Sequence, residues 1–296
     1  MYLSTLLINT GDNPDRPDWS ITRRWLRNLY RVHQRLSMAF PSRAASNCAP
    51  QPNPARMSHD SAVPTGSEET DGRQARNAAH SFLFRVDLPV DSKRGVRTPV
   101  ILVQSHHKPD WDYAFGLTPG KTDARGRPIG NAGFLLAGPP QVNEFRLELD
   151  ADALLICRPS DCLRVKSGDL IRFLLRANPT RKAQDGSPNG KRRRIAPTFD
   201  EHAQWLSRKF GSAADLLGID KFVTSWAYGW RTKYEPQPNQ RMQWWSVLFE
   251  GTARVKHPPA LKGLLESGIG SAKAFGFGLL SIKPLPQEAA AISPPG

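Results

Sequence analysis

Tyr30 and His33 stand three residues apart in Leu29-Tyr30-Arg31-Val32-His33-Gln34. On a helix that spacing places both on one face. An imidazole titrates near neutral pH and can carry a proton to or from a reacting oxygen. A phenol beside it can orient a nucleophile or a phosphate. Arg23, Arg27 and Arg31 recur at every fourth residue of the same segment, so the helix also presents cations. The combination suits a phosphodiester. If the polymer is RNA, its 2′-hydroxyl is a built-in nucleophile. The protein then has only to align that hydroxyl, move protons and stabilise the charge gathering on phosphorus. Arg27 or Arg31 can supply that charge. A plainer reading stands beside this one, in which Tyr30 and His33 pack as amphipathic residues at a helix margin.

A second constellation is the run Gly268-Ile269-Gly270-Ser271-Ala272-Lys273-Ala274-Phe275-Gly276-Phe277-Gly278. Two G-x-G pairs flank Lys273. Glycines Gly268, Gly270, Gly276 and Gly278 let backbone N–H groups come close to a phosphate chain. The run follows a helix and precedes a strand, which is the reverse of a dinucleotide-binding fingerprint, and no G-K-[ST] makes it a P-loop. Its plainer reading is a turn at a helix C-terminus. Other candidates are weaker. His106, His107, Asp110 and Asp112 read as a surface turn before a metal site, and Asp200-Glu201-His202 as a helix start.

The charge is uneven. Lys+Arg 41 against Asp+Glu 27 gives +14 and a pI near 10.1, which points to a polyanionic partner. Residues 172–194 alone hold Arg172, Arg176, Arg181, Lys182, Lys191, Arg192, Arg193 and Arg194 against Asp185. The turn-rich stretch Asp185–Gly190 precedes the last four cations, so the region reads as a basic loop or hairpin tracking phosphates. Residues 41–81 lack aromatics, Leu and Ile, and their charges cancel; they read as a mobile insertion. Cys48, Cys157 and Cys162 form no C-x-x-C and no disulfide framework, and they fit free thiols in the cytoplasm. No apolar run approaches a membrane span, and residues 1–10 lack the basic start of a signal peptide.

These residues need a scaffold. Tyr2–Ile8 reads as a strand. Ile21, Trp25, Leu29, Val32, Leu36 and Ala39 form one apolar stripe, predicting a continuous helix over Trp19–Phe40, capped by Asp18 or Ser20 and stopped by Pro41. Gly11–Asp18 reads as a polar loop ahead of it, and Gly116–Gly138 is loop-like. Strands are expected at Phe82–Asp87, Val100–Gln104, Phe145–Leu149 and Leu170–Ala177, with one helix opened by Thr198 or Asp200 and running to about Phe210 and another from Pro258 to Gly268. Two strands, Gln243–Glu250 and Thr252–Lys256, are expected on either side of Gly251, and a last one at Gly276–Ile282. Each half thus holds strands with helices on one face, which is an α+β class. The division is 1–150, 151–283, and a disordered Pro/Ala tail at 284–296.

The opening Met1-Tyr2-Leu3-Ser4, the Leu29–Gln34 segment, Leu175-Arg176-Ala177-Asn178-Pro179-Thr180 and the terminal glycine run occur in this order. Together they resemble the CasE family, the RNA-processing endoribonucleases of type I-E CRISPR systems. The similarity covers most of the folded chain. It implies two tandem ferredoxin-like (RRM-like) domains. It also implies metal-independent cleavage of the precursor CRISPR RNA repeat hairpin without a cofactor, leaving a 2′,3′-cyclic phosphate (or 3′-phosphate) and a 5′-hydroxyl, and retention of the product in a Cascade complex. The family's His and Tyr fall on His33 and Tyr30, its stem-gripping region on Arg176 through Arg194, and its glycine loop on Gly268–Gly278. The 41–81 insertion and the Gly11–Asp18 loop depart from the family pattern. Two other functions remain open: a non-catalytic hairpin-binding subunit of a ribonucleoprotein, and a DNA-binding regulator.

Overall fold

The computed structural model describes residues 1–10, 20–40, 82–87, 98–117, 132–182, 192–195, 198–231 and 240–286. The Gly11–Asp18 loop, the 41–81 insertion, Asp18, Pro41, Lys191 and most of the C-terminal tail lie outside them.

The first half runs β1 (Tyr2–Leu7), α1 (Ser20–Arg27), α2 (Leu29–Ser37), β2 (Phe82–Asp87), β3 (Val100–Ser105), α3 (Trp111–Phe115) and β4 (Gln141–Glu144). Its antiparallel sheet has the order β2-β3-β1-β4. A small sheet follows, β5 (Arg146–Asp150), β6 (Ala153–Cys157) and β7 (Cys162–Lys166). The second half holds β8 (Leu170–Ala177), a hairpin of β9 (Thr180–Lys182) and β10 (Arg192–Arg194), and then α4 (Phe199–Phe210). It closes with β11 (Ala214–Trp230), β12 (Arg241–Val255), α5 (Pro258–Ser267) and β13 (Leu280–Pro284). Its main sheet has the order β11-β12-β8-β13. Both halves therefore trace strand, helix, strand, strand, helix, strand with the first strand between the third and the fourth. They are two tandem ferredoxin-like units of α+β class.

Each half buries its own core. Leu6, Val32, Leu36, Phe84, Ile101, Val103 and Phe115 are among the buried residues of the first. Phe173, Leu175, Leu206, Phe210, Val247, Phe249 and Leu261 are among those of the second. Leu154, Ile156 and Val165 of the small sheet join the second core. Arg85 ties the halves together. It is 2% exposed, and its guanidinium holds Asp87 through bonds of 2.7 and 3.0 Å. The same group donates across the interface to Leu174 O, Leu279 O and Ser281 Oγ at 3.0–3.2 Å. Gln104 donates to Leu265 O at 2.7 Å beside it.

Four expectations need correction. The Trp19–Phe40 helix is two helices, because Asn28 leaves helical geometry (φ −106°, ψ 85°) and pairs with β11. Beyond the break Val32, Leu36 and Ala39 of the apolar stripe are buried, whereas before it Leu26 takes the buried place, and Trp25 and Leu29 on either side are only partly covered. Gly251 does not divide a strand; β12 runs through it beside a bulge in β11, and a Cβ there would meet the Gly218 carbonyl oxygen. The last strand begins at Leu280, because Gly276 and Gly278 are left-handed (φ 81° and 90°) and belong to the loop. Cys157 and Cys162 are not free thiols. The β6–β7 hairpin sets them opposite each other, Cα–Cα 4.0 Å, and they form a disulfide. Neither β11 nor the β6–β7 hairpin was anticipated.

Candidate active site and cationic cleft

Asn28 positions the catalytic candidates. It is buried, and its side chain behaves like a strand residue towards the edge of β11. Nδ2 donates to Trp230 O and Oδ1 accepts the Trp230 N–H, both at 3.0 Å. Oδ1 also caps α2 through the Arg31 N–H at 3.4 Å. One residue thus ends α1, starts α2 and fastens both to the second half. Tyr30, in the first turn of α2, lies so close to β11 that a side chain at Gly229 would contact its Cβ. The Arg231 guanidinium lies 5.6 Å from the Tyr30 ring centre.

His33 follows one turn later and is half-buried. Its ring stacks on Phe82 at 5.4 Å and Phe84 at 6.5 Å, and Phe275 lies 6.0 Å away at a tilt. Nδ1 is buried. Phe275 comes from the glycine loop and stacks on Trp244 of β12 at 4.3 Å, so the two constellations seen in the sequence meet at this ring.

The loop's glycines serve packing. A Cβ at Gly268 would run into Leu83 and one at Gly276 into Phe84, while Gly270 lies against Trp205. Gly278 N–H bonds Arg176 O at 2.7 Å, Ile269 N–H bonds Gly278 O at 2.9 Å, and the Lys273 ammonium donates to Ser267 O at 2.6 Å. Ser271 Oγ fastens the loop to the base of the basic hairpin, donating to Asn178 O at 3.0 Å and lying 3.1 Å from Thr180 Oγ1.

The cations divide between two cavities. Arg23 and Arg27 of α1 and Arg176 of β8 line one of about 1220 Å³, together with Arg231 and Arg241 from either end of the β11–β12 hairpin. None of its described lining residues is a carboxylate. Arg31 lies elsewhere, bonded to Gln34 Oε1 at 3.2 Å in a cavity of about 550 Å³ with Arg24 and Arg35. Burial chiefly, and then the Arg31 charge, hold the Arg35 guanidinium below its ordinary pKa, and it donates to Ala114 O at 2.9 Å. Arg176 is lowered as well. Burial is the main cause, Asp87 pulls back upwards, and Arg85 adds repulsion. The buried Arg176 Nε has no hydrogen-bond partner among the described residues. A cation compensated only in part is stabilised further by an arriving anion.

Just beyond Arg176, β9 and β10 pair Arg192 with Lys182 and Arg193 with Arg181. Sequence reasoning missed Arg231, Arg241, Phe275 and the aromatics of β11. The alternation Trp226-x-Tyr228-x-Trp230 is the signal that exposes the last of these. Asp110 of the His/Asp cluster caps α3 by accepting the Tyr113 N–H at 2.8 Å. His202 is core, its Nδ1–H on Thr198 O at 2.6 Å and its Nε2 accepting from Trp245 Nε1 at 3.3 Å.

Two ferredoxin-like units closed over an arginine-lined cleft define an anion-binding protein with a Tyr/His helix at its margin. The family model for "CRISPR associated protein" matches residues 1–284, and the chain belongs to that family, as a CasE member. It is 28% identical over 296 residues to the CRISPR system Cascade subunit CasE of Escherichia coli, covering 96% of this chain and 100% of that one. It is 27% identical over 291 residues to the CRISPR-associated endoribonuclease Cse3 of Thermus thermophilus, with the same coverage. A solved structure of CRISPR endoribonuclease Cse3 bound to a 19-nucleotide RNA superposes with a TM-score of 0.55 at 25% identity, covering 96% of this chain and 100% of that one. Among the described residues, no helix is long and apolar enough to cross a membrane.

Proposed function

We propose that this protein is an endoribonuclease that cuts the repeat hairpin of precursor CRISPR RNA and keeps the product as a subunit of a cytoplasmic Cascade complex. The observation that carries the reading is the cleft of about 1220 Å³ lined by Arg23, Arg27 and Arg176, whose wall includes Leu29 at the start of the helix that bears Tyr30 and His33. The relatives' names, a Cascade subunit and a CRISPR-associated endoribonuclease, supply the substrate class.

In this reading the RNA 2′-oxygen attacks the adjacent phosphorus. The O2′–P bond forms, the P–O5′ bond breaks, and the products are a 2′,3′-cyclic phosphate and a 5′-hydroxyl. O2′ gives up a proton and O5′ takes one. His33 serves one of these transfers as general acid or base, and Tyr30 orients the nucleophile or the phosphate. Arg27 and Arg176 take the charge on the phosphoryl oxygens. The chemistry calls for no metal, so EDTA leaves cleavage unchanged. The β9–β10 hairpin grips the stem backbone, with the Gly268–Gly278 loop bracing it through Ser271.

His33→Ala should cut the cleavage rate by about 10²–10⁴-fold while hairpin binding survives. A second reading, a non-catalytic hairpin-binding subunit, is favoured by the packing of His33 among Phe82, Phe84 and Phe275. Unchanged cleavage by His33→Ala, or no cleavage by the parent protein, selects that reading. A 2′-deoxy substitution at the cut must abolish the reaction.

A further inference from the structure

Trp226, Tyr228 and Trp230 occupy alternate positions of β11, so strand geometry puts them on one face. Their cross-strand partners on that face are Trp245, Gln243 and Arg241. Nearer the middle of the sheet this is the face that α4 covers: Phe222 and Phe249 pack there, and Trp245 bonds His202. Towards the hairpin tip the cover ends, leaving Trp226 44% exposed and Trp230 37% exposed. Trp226 meets Trp245 edge-on at 4.9 Å, and the Arg241 guanidinium lies over the Tyr228 ring at 4.8 Å. All three aromatics line the same cleft as Arg23, Arg27 and Arg176.

Adjacent exposed rings in a water-facing cleft need an occupant. The cleft's charge selects an anion, and its rings select flat groups. An RNA stem satisfies only the first, because its bases are stacked on one another and paired. Unpaired nucleotides satisfy both, with phosphates on the guanidinium groups and base faces on the indoles and the phenol. We infer that Trp226, Tyr228 and Trp230 form a stacking platform for the single-stranded nucleotides flanking the RNA stem. The inference rests on the RNA-processing reading and adds a second, sequence-tolerant subsite to it.

The test uses two hairpin RNAs with a 2′-deoxy group at the cut, one blunt and one carrying a short unpaired oligouridine tail. Fluorescence polarisation measures binding to the parent chain, Trp226→Ala, Trp230→Ala and the double variant. The parent should bind the tailed RNA more tightly than the blunt one. The double variant should lose that advantage, about 10- to 100-fold, and bind the blunt hairpin like the parent. Phenylalanine at both positions should restore it. If alanine unfolds the hairpin, leucine at both positions carries the test, because it keeps the apolar contact without an aromatic face and it too should weaken only the tailed complex. Equal losses for both RNAs, or loss for neither, overturn the inference. Normal binding of both RNAs with failed assembly into a multisubunit complex makes the patch a protein contact and overturns it too. A parent that ignores the blunt hairpin but binds oligouridine through these residues would instead refute the hairpin-cutting reading and leave the platform standing.

Discussion

Asn28→Ala tests whether one side chain holds the catalytic helix to the second half. The substitution deletes two bonds of 3.0 Å to Trp230 and the 3.4 Å cap on α2. Asn28 is 3% exposed, so little water can reach the abandoned groups. Each buried backbone group left unpaired costs about 1–3 kcal/mol, and a lost N-cap about 1 kcal/mol. Trp230 is itself partly exposed and recovers some hydration, which puts the expected loss at roughly 3 kcal/mol. For a chain of this size that lowers Tm by about 5 °C. Differential scanning calorimetry measures the shift, and single-turnover cleavage well below Tm measures the functional part. Cleavage should fall by more than the unfolded fraction explains, because α1 and α2 lose their shared anchor. Asn28→Asp turns the donor into a second acceptor facing Trp230 O. It should be no better than alanine while ionised and recover as the pH falls, starting above the usual carboxylate range because burial and the facing carbonyl favour the neutral acid, whose O–H can donate. An alanine variant with parental Tm and parental cleavage refutes the reasoning.

Replacing Arg192, Arg193 and Arg194 with Gln should shrink the log–log salt slope of hairpin binding by up to about 3, since each phosphate contact contributes about 0.9; an unchanged slope removes the arm from the stem. Arg176→Met should fold at least as well as the parent in urea, because a poorly compensated charge is withdrawn from burial. It should bind RNA about tenfold more weakly or worse, a charge-assisted bond being worth about 1.5–3 kcal/mol; a lost fold with intact binding would make Arg176 structural. Gly276→Ala combines a left-handed φ of 81° with a Cβ 2.9 Å from Phe84, and should cost about 2–4 kcal/mol. Phe84 stacks on His33, so the cleavage rate should drop with stability; parental melting would show that the loop yields.

Periodicity and charge made much of this legible. The apolar stripe through Val32, Leu36 and Ala39 does face the core, the Pro258 helix start lies where side-chain chemistry puts it, and of the two candidate caps, Thr198 and Asp200, the first is used. The cationic run after Arg176 pairs as a hairpin, one of the two forms, loop or hairpin, that its turn-rich middle left open. What escaped depends on partners distant in sequence. Nothing local tells Asn28 to leave the helix; its partner lies 202 residues away. The glycines at 268–278 advertised freedom, but their neighbours Leu83 and Phe84 show that they allow close approach between the halves. Arg23, Arg27 and Arg31 share a sequence rhythm, yet the break at Asn28 sends Arg31 to another cavity. β11 was hidden because Gly218, Asp220 and Lys221 interrupt its alternation around the bulges.

Arg85 has a consequence for what happens after cutting. Its guanidinium sits inside one half and is neutralised there by Asp87, while its remaining protons rest on carbonyls and a hydroxyl of the other. Any swing of the two halves apart would break those three bonds at once and open the interface between the two cores, so the jaws have no inexpensive open position. On the proposed reading, a mouth with no open state would hold the severed stem by the same contacts it offered the intact one, and the enzyme would end as the RNA's handle.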